Sequence, residues 1–237
     1  MKKEFITGIK AGIPICLGYF FVSFGVGILA VSNGLPVWAA VVISATNLTS
    51  AGEVAGIGVI AASGTYIEMI LTQLLINCRY SLMAVSLSQN LSDNFRLPHR
   101  VIASYGITDE IFGVAVAKKE PVTPFYMYGM IGIATVGWVL GTFFGAVAGD
   151  ILPERLTAAL GILLYGMFIA IIIPPVRESI KDLFVILISA VISCMLFYLP
   201  EFTGFPKISS GFSIIISAVI ASAILALAAP VKEVEAR

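Results

Sequence analysis

The chain has 237 residues and zero formal net charge; 59% of its residues are hydrophobic and only 12% charged, against about 25% charged in a soluble globular domain. Mean hydropathy is +1.01, and a water-soluble chain of this size has too little interior to hide so much apolar side chain. A soluble fold is thereby excluded in favour of a polytopic membrane protein, and the even charge balance with no basic tract excludes a nucleic-acid surface.

A helix needs about 20 apolar residues to cross the hydrocarbon layer. In chain order, Ala11–Val31 meets that requirement. Lys2 and Lys3 precede it and Ala30-Val31-Ser32 resembles a cleavage site, but its apolar core exceeds that of a signal peptide, so it reads as a retained helix. Val37–Ala62 is long enough but irregular, with Asn47, Thr49, Ser50, Gly52, Glu53, Gly56 and Gly58 in its second half. Tyr66–Leu87 is a plain segment. Val101–Ala117 is short and holds Thr108-Asp109-Glu110 near its middle. Tyr126–Ala148, Leu156–Ile173, Leu183–Leu199 and Gly211–Ala229 complete the set, and Pro14, Pro174 and Pro175 are expected to mark kinks or ends. Trp38, Phe125, Tyr126, Tyr128, Phe197 and Tyr198 stand at segment ends, where amphipathic rings sit at headgroup level, whereas mid-span Trp138 is expected to pack against protein.

Basic residues collect on the cytoplasmic side of a membrane protein. If all eight segments cross with the N-terminus inside, Lys2, Lys3, Lys10, Lys118, Lys119, Arg177, Lys181, Lys232 and Arg237 lie inside and Arg96, Arg100, Arg155 and Lys207 outside. If both irregular segments are re-entrant, Arg96 and Arg100 also move inside. Seven plain crossings, with Val101–Ala117 alone left out, reverse the bias. The two irregular segments are therefore expected to behave alike, with both termini cytoplasmic.

Charge inside a membrane segment is costly and faces a partner or a cavity. Four such residues occur: Glu53, Arg79, Asp109 and Glu110. They read either as a structural ion pair or as a polar binding site or proton relay. On a helical wheel Glu68, Thr72, Arg79 and Ser86 form one polar stripe expected to face the protein interior, and Gln73, Asn77 and Tyr80 form a second sector. Glu68 lies about 16 Å along the helix from Arg79 and, near the segment start, is expected to reach water. The counter-ion of Arg79 is then sought among Glu53, Asp109 and Glu110. Asn47-Leu-Thr-Ser-Ala-Gly-Glu-Val-Ala-Gly56 reads as a broken helix whose freed N–H and C=O groups can receive a carboxylate or a cation, or else as a tightly packed Gly-rich helix. Gly137, Gly141, Gly145 and Gly149 form a one-face stripe for close helix packing, within the chain or to a second subunit. Ser209, Ser213 and Ser217 form a stripe expected to bond a neighbouring helix in preference to lining a pore. His99 is expected at the surface. Cys16, Cys78 and Cys194 lie in apolar runs without CxxC spacing, so neither a disulfide framework nor a metal site is expected, and no cofactor is implied.

Several of these residues stand in a familiar pattern. Gly8-Ile-Lys-Ala-Gly-Ile-Pro14 with Gly18-Tyr19, Thr46-Asn-Leu-Thr-Ser-Ala-Gly52, Asn77-Cys-Arg-Tyr-Ser-Leu-Met83 with Ser86-Leu-Ser-Gln89, and Thr108-Asp-Glu110 follow in order over about residues 5–175. The chain thereby resembles the AzlC family, the large subunits of branched-chain amino-acid exporters of the LIV-E type. That resemblance implies export of leucine, isoleucine, valine or analogues, together with a small membrane partner of the AzlD type. One departure is Glu53-Val54, where members often have glutamine followed by phenylalanine; a titratable acid there bears on ion coupling or substrate choice.

The combined expectation is an all-α polytopic membrane protein with about 7–8 hydrophobic segments, including broken or re-entrant helices, forming one transporter domain over residues 1–237. It would be a proton-coupled secondary transporter for neutral apolar amino acids in a plasma membrane, not an enzyme. Its substrate-binding or coupling residues would be Asn47, Glu53, Asn77, Arg79, Tyr80, Asp109 and Glu110. A passive channel and a non-transporting scaffold subunit are the alternatives.

Overall fold

The structure is a computed structural model describing residues 1–151, 166, 169, 172–173, 176–177, 179–203 and 208–228. The expected segment Leu156–Ile173 lies almost wholly outside these residues, as do Pro174 and Pro175. Among the described residues the chain forms helices and no strand: α1 (Lys2–Ser32), α2 (Val37–Thr46), α3 (Ser50–Ala61), α4 (Tyr66–Ser88), α5 (Leu97–Ser104), α6 (Asp109–Val116), α7 (Pro124–Ile151), α8 (Ile180–Thr203) and α9 (Ser210–Ala228). Five of them, α1, α4, α7, α8 and α9, are long and apolar enough to cross a membrane; α2 and α3 are apolar but too short. Pro14 sits inside α1 without ending it. That helix stops where Gly34 takes φ +83, a left-handed conformation that only glycine adopts without steric cost. Leu35 N then reaches back to Ala30 O over 3.1 Å, which satisfies a carbonyl the helix leaves open.

Both irregular stretches are broken. The first parts into α2 and α3 around Asn47-Leu48-Thr49, and the second into α5 and α6 around Tyr105–Thr108. The breaks share one hydrogen-bond pattern. Thr49 N donates to Asn47 O (2.9 Å) and Thr108 N to Gly106 O (3.0 Å), after which Glu53 N returns to Thr49 O and Phe112 N to Thr108 O, each at 2.8 Å. The threonine hydroxyl caps the second helix in both cases, accepting from Gly52 N and from Ile111 N at 3.4 Å.

The chain divides into two compact units, one of Met1–Ile57 with Ile76–Tyr165, the other of Gly58–Leu75 with Gly166–Arg237. In the first, α1 lies along α7 with glycine as the means of approach. A Cβ at Gly8 or Gly12 would meet the backbone of Tyr126 or Met130, and one at Gly137, Gly141 or Gly145 would meet the backbone of Cys16, Phe20 or Phe24. Gly149 faces Val31 and Ile28. The four glycines at Gly137, Gly141, Gly145 and Gly149 thus all face α1, within the chain. Residue numbers rise together along the two helices, so α1 and α7 run parallel. Around this contact sit the buried Val26, Ile28, Ala30, Met127, Met130, Ala134 and Ala146.

In the second unit α8 packs with α9, and the first turns of α4 meet the start of α9, where Gly211 N donates to Glu68 Oε1 (3.0 Å). Glu68 is only 2% exposed. The expectation that it reaches water is therefore corrected: the open N–H of α9 draws the carboxylate inward. Ser217 also departs from expectation, since its hydroxyl bonds Ser213 O (2.6 Å) and Ile214 O (3.2 Å) of its own helix. Large apolar side chains such as Leu17, Phe21, Leu74, Leu82, Val191 and Phe197 are exposed, a surface suited to lipid and not to water.

Candidate functional site

The polar groups of the first unit converge where the two breaks meet. Breaking a helix leaves carbonyls without their intrahelical partners. Ala45 O, near the end of α2, is one of these, and Tyr105 Oη from the second break donates to it over 2.8 Å. Thr49 occupies the corresponding place on the other side of the first break. Its hydroxyl donates to Asn77 Oδ1 (3.0 Å) and accepts from Tyr80 Oη (3.3 Å). Asn77 and Tyr80 are one turn apart on α4, so the first break is fastened to that helix by two side chains on one face. Asn47 ends α2 and gives its carbonyl to Thr49 N.

Arg79 extends from the same turn of α4. Its guanidinium lies 5.0 Å from the centre of the Tyr80 ring, and Nη2 donates to Tyr80 Oη (3.3 Å). Its Nη1 meets Asp109 Oδ2 at 2.7 Å, with the two side chains 41% and 43% exposed. Of the three carboxylates considered as its counter-ion, Asp109 makes the pair.

The other two have different partners. Tyr19 Oη, from α1, donates to Glu110 Oε2 (2.6 Å) and also meets Thr108 Oγ1 (2.5 Å). Asp109 and Glu110 open α6, where a helix N-terminus favours negative charge. Glu53 is completely buried. Ser44 Oγ donates to its Oε2 and Trp138 Nε1 to its Oε1, both at 2.5 Å, and Ser44 Oγ is in turn 2.7 Å from Thr142 Oγ1. Glu53 therefore ties both halves of the first broken segment to α7. The Tyr19 and Trp138 rings meet edge to face at 5.2 Å, placing the Glu53 cluster beside the Tyr19–Glu110 pair.

The structure brings Asn77, Arg79, Tyr80 and Asp109 together, adds Glu110 as the next residue, and sets Glu53 in a separate clasp. Sequence reasoning does not single out Ser44, Tyr105 or Thr142, and it meets Tyr19 only within the family pattern, with no role. A tyrosine near the middle of an apolar helix is the signal for Tyr19; Ser44 and Thr142 carry none, because lone hydroxyls are common in membrane helices. The wheel stripe is also corrected at Ser86, which is exposed while Glu68 and Thr72 are buried. His99 is half-buried, not a free surface residue: its Nδ1 lies 2.7 Å from Tyr128 Oη.

Comparison with known proteins adds to this geometry. The inner membrane protein YgaZ of Escherichia coli K12 is 26% identical over 179 residues, covering 73% of each chain. A protein of Archaeoglobus fulgidus known only as an uncharacterized membrane protein is 27% identical over 175 residues, covering 73% of this chain and 76% of its own. A similarly named Helicobacter pylori protein is 24% identical over 155 residues, covering 62% of this chain and 67% of its own. No solved structure matches. Residues 14–152, which carry both breaks, the Arg79–Asp109 pair and the glycine face of α7, match the family described as AzlC protein, and the chain is a membrane protein of that family.

Proposed function

We propose that this chain is the larger subunit of a secondary transporter that exports branched-chain or similar neutral apolar amino acids across the plasma membrane, driven by protons, with a small AzlD-type partner. The observation that carries the reading is the Arg79–Asp109 pair, 2.7 Å apart and only partly covered. Ionised groups do not face hydrocarbon, so a partly covered pair in this setting lines a hydrated cavity. A zwitterion is its chemical complement. The substrate carboxylate takes the fork of Arg79, which suits carboxylates, and the ammonium takes Asp109. The Arg79–Asp109 pair is neutral when empty and a zwitterion adds no charge to it, so the substrate itself brings no net charge into the site. Glu110, bonded to Tyr19 with no cation in that pairing, is assigned the coupled proton.

Three features of the packing support broken segments that behave alike and are re-entrant, while the cytoplasmic placement of both termini rests on the distribution of basic residues. Nine residues of unbroken helix span about 13.5 Å, yet Ser44 and Glu53 bond each other, so the chain turns sharply at Asn47–Thr49. The parallel course of α1 and α7 requires an even number of reversals between them. The starts of α4 and α9 touch at Glu68 and Gly211; if every segment crossed, they would begin on opposite faces, about 30 Å apart.

The test is efflux of labelled leucine, isoleucine and valine from proteoliposomes holding the full chain, with and without the small partner and with the pH difference varied. Saturable, gradient-dependent efflux is the expected result. Flux that rises linearly with concentration and ignores the gradient would indicate a passive pore and overturn the reading.

A further inference from the structure

A second polar centre lies in the other unit. Ser209 stands immediately before α9, at the position whose hydroxyl ordinarily caps a helix. It does not make that cap. Gly211 N donates instead to Glu68 Oε1 at 3.0 Å, and Ser209 Oγ is buried with no partner among the described residues. One turn along α4 from Glu68, Thr72 is completely buried and its Oγ1 has no partner either. Such orphaned hydroxyls are uncommon in protein interiors.

The oxygens of Glu68 and Thr72 lie together beside Gly211, two residues beyond Ser209. A Cβ added at Gly211 would come within 2.6 Å of Glu68 Oε1 and 2.8 Å of Thr72 Oγ1. One added at Gly64 would come within 2.8 Å of Glu68 Oε2. Two glycines therefore keep both sides of a buried carboxylate clear. No ion pair to Glu68 is present among the described residues, and the partial positive charge of a helix N-terminus offsets only about half a unit. A carboxylate and hydroxyls are hard oxygen donors, the class that binds hard cations. With a single carboxylate, and no cluster of three or more His, Cys, Asp or Glu among the described residues, the charge matches a monovalent ion.

We propose that Glu68, Thr72 and Ser209 bind a sodium-sized monovalent cation at the start of α9. The inference does not depend on amino-acid export. Its test is thermal unfolding of the full chain in nanodiscs, with sodium exchanged for potassium or N-methyl-D-glucamine at constant ionic strength. Ligand that binds only the folded state raises the midpoint with its concentration, so sodium is expected to give a saturable rise of about 3 °C or more. Thr72→Val keeps the shape of the side chain and removes its oxygen; it and Glu68→Gln are expected to abolish the rise. Thr72→Val decides alone if Glu68→Gln does not fold. No sodium-specific rise would leave water as the sole occupant and overturn the proposal. An equal or larger rise with potassium, or a full rise in Thr72→Val, would overturn it as well.

Discussion

Arg79 and Asp109 meet at 2.7 Å, yet each side chain keeps about two-fifths of its surface open. An ion pair so placed is screened, and exposed pairs contribute little to stability, about 0–1 kcal/mol. Asp109→Asn is therefore expected to change unfolding by less than about 1 kcal/mol. If Asp109 holds the substrate ammonium, the same change lowers efflux of labelled leucine at least about 10-fold, the worth of one charged hydrogen bond. Comparable loss of stability and flux would mark the pair as structural.

Glu110→Gln retains an acceptor for the Tyr19 hydroxyl but holds no exchangeable proton. Counterflow exchange of amino acid is expected to persist in this variant, while acceleration by an imposed pH difference disappears. Tyr19→Phe removes the bond to Glu110 and is expected to slow driven transport about 5–10-fold. Both rates are read in one proteoliposome preparation.

The Glu53 clasp gives a stability prediction. A glutamine at 53 still offers an oxygen to Trp138 Nε1, and its amide N–H donates to Ser44 Oγ while that hydroxyl bonds Thr142. Glu53→Gln is expected within about 1 kcal/mol of the wild type. Trp138→Phe leaves Oε1 without its donor and is expected to cost about 1–3 kcal/mol. Denaturant titration in mild detergent checks the order.

Two glycines of α7 are expected to behave oppositely. Gly145→Ala drives a methyl into the Phe24 backbone, which overpacks the parallel contact and costs about 1–3 kcal/mol. Gly132 has nothing within 4 Å of an added Cβ, so Gly132→Ala gains about 0.5–1 kcal/mol from helix preference alone. Midpoints of thermal unfolding separate the two.

The broken segments were legible because glycines, hydroxyls and acids cannot continue a lipid-facing helix, and the breaks fall at Asn47–Thr49 and just before Asp109. The Arg79 site was legible for the same reason: charge in an apolar segment demands a partner. Which carboxylate answers it was not, because Glu53, Asp109 and Glu110 are alike in composition and differ only in what surrounds them once α1 and α7 are in place. Glu68 went the other way for a related reason. Its position near a segment end suggests water, and only the arrival of a helix start from far along the chain draws it inside. Wheel and hydropathy arguments act over a few turns of one helix and carry no information about such distant partners.

The clasp at Glu53 also sets an order of events during synthesis. Ser44 and Glu53 emerge from the ribosome well before Trp138 and Thr142, so the broken segment of α2 and α3 waits for α7 to supply its remaining hydrogen bonds. Neither short helix is long enough to be released into the bilayer alone. The hydrogen bonds of the Glu53 cluster to α7 form only after that helix is made, and a nascent chain halted before residue 138 is expected to leave Glu53 open to water-soluble reagents until translation resumes.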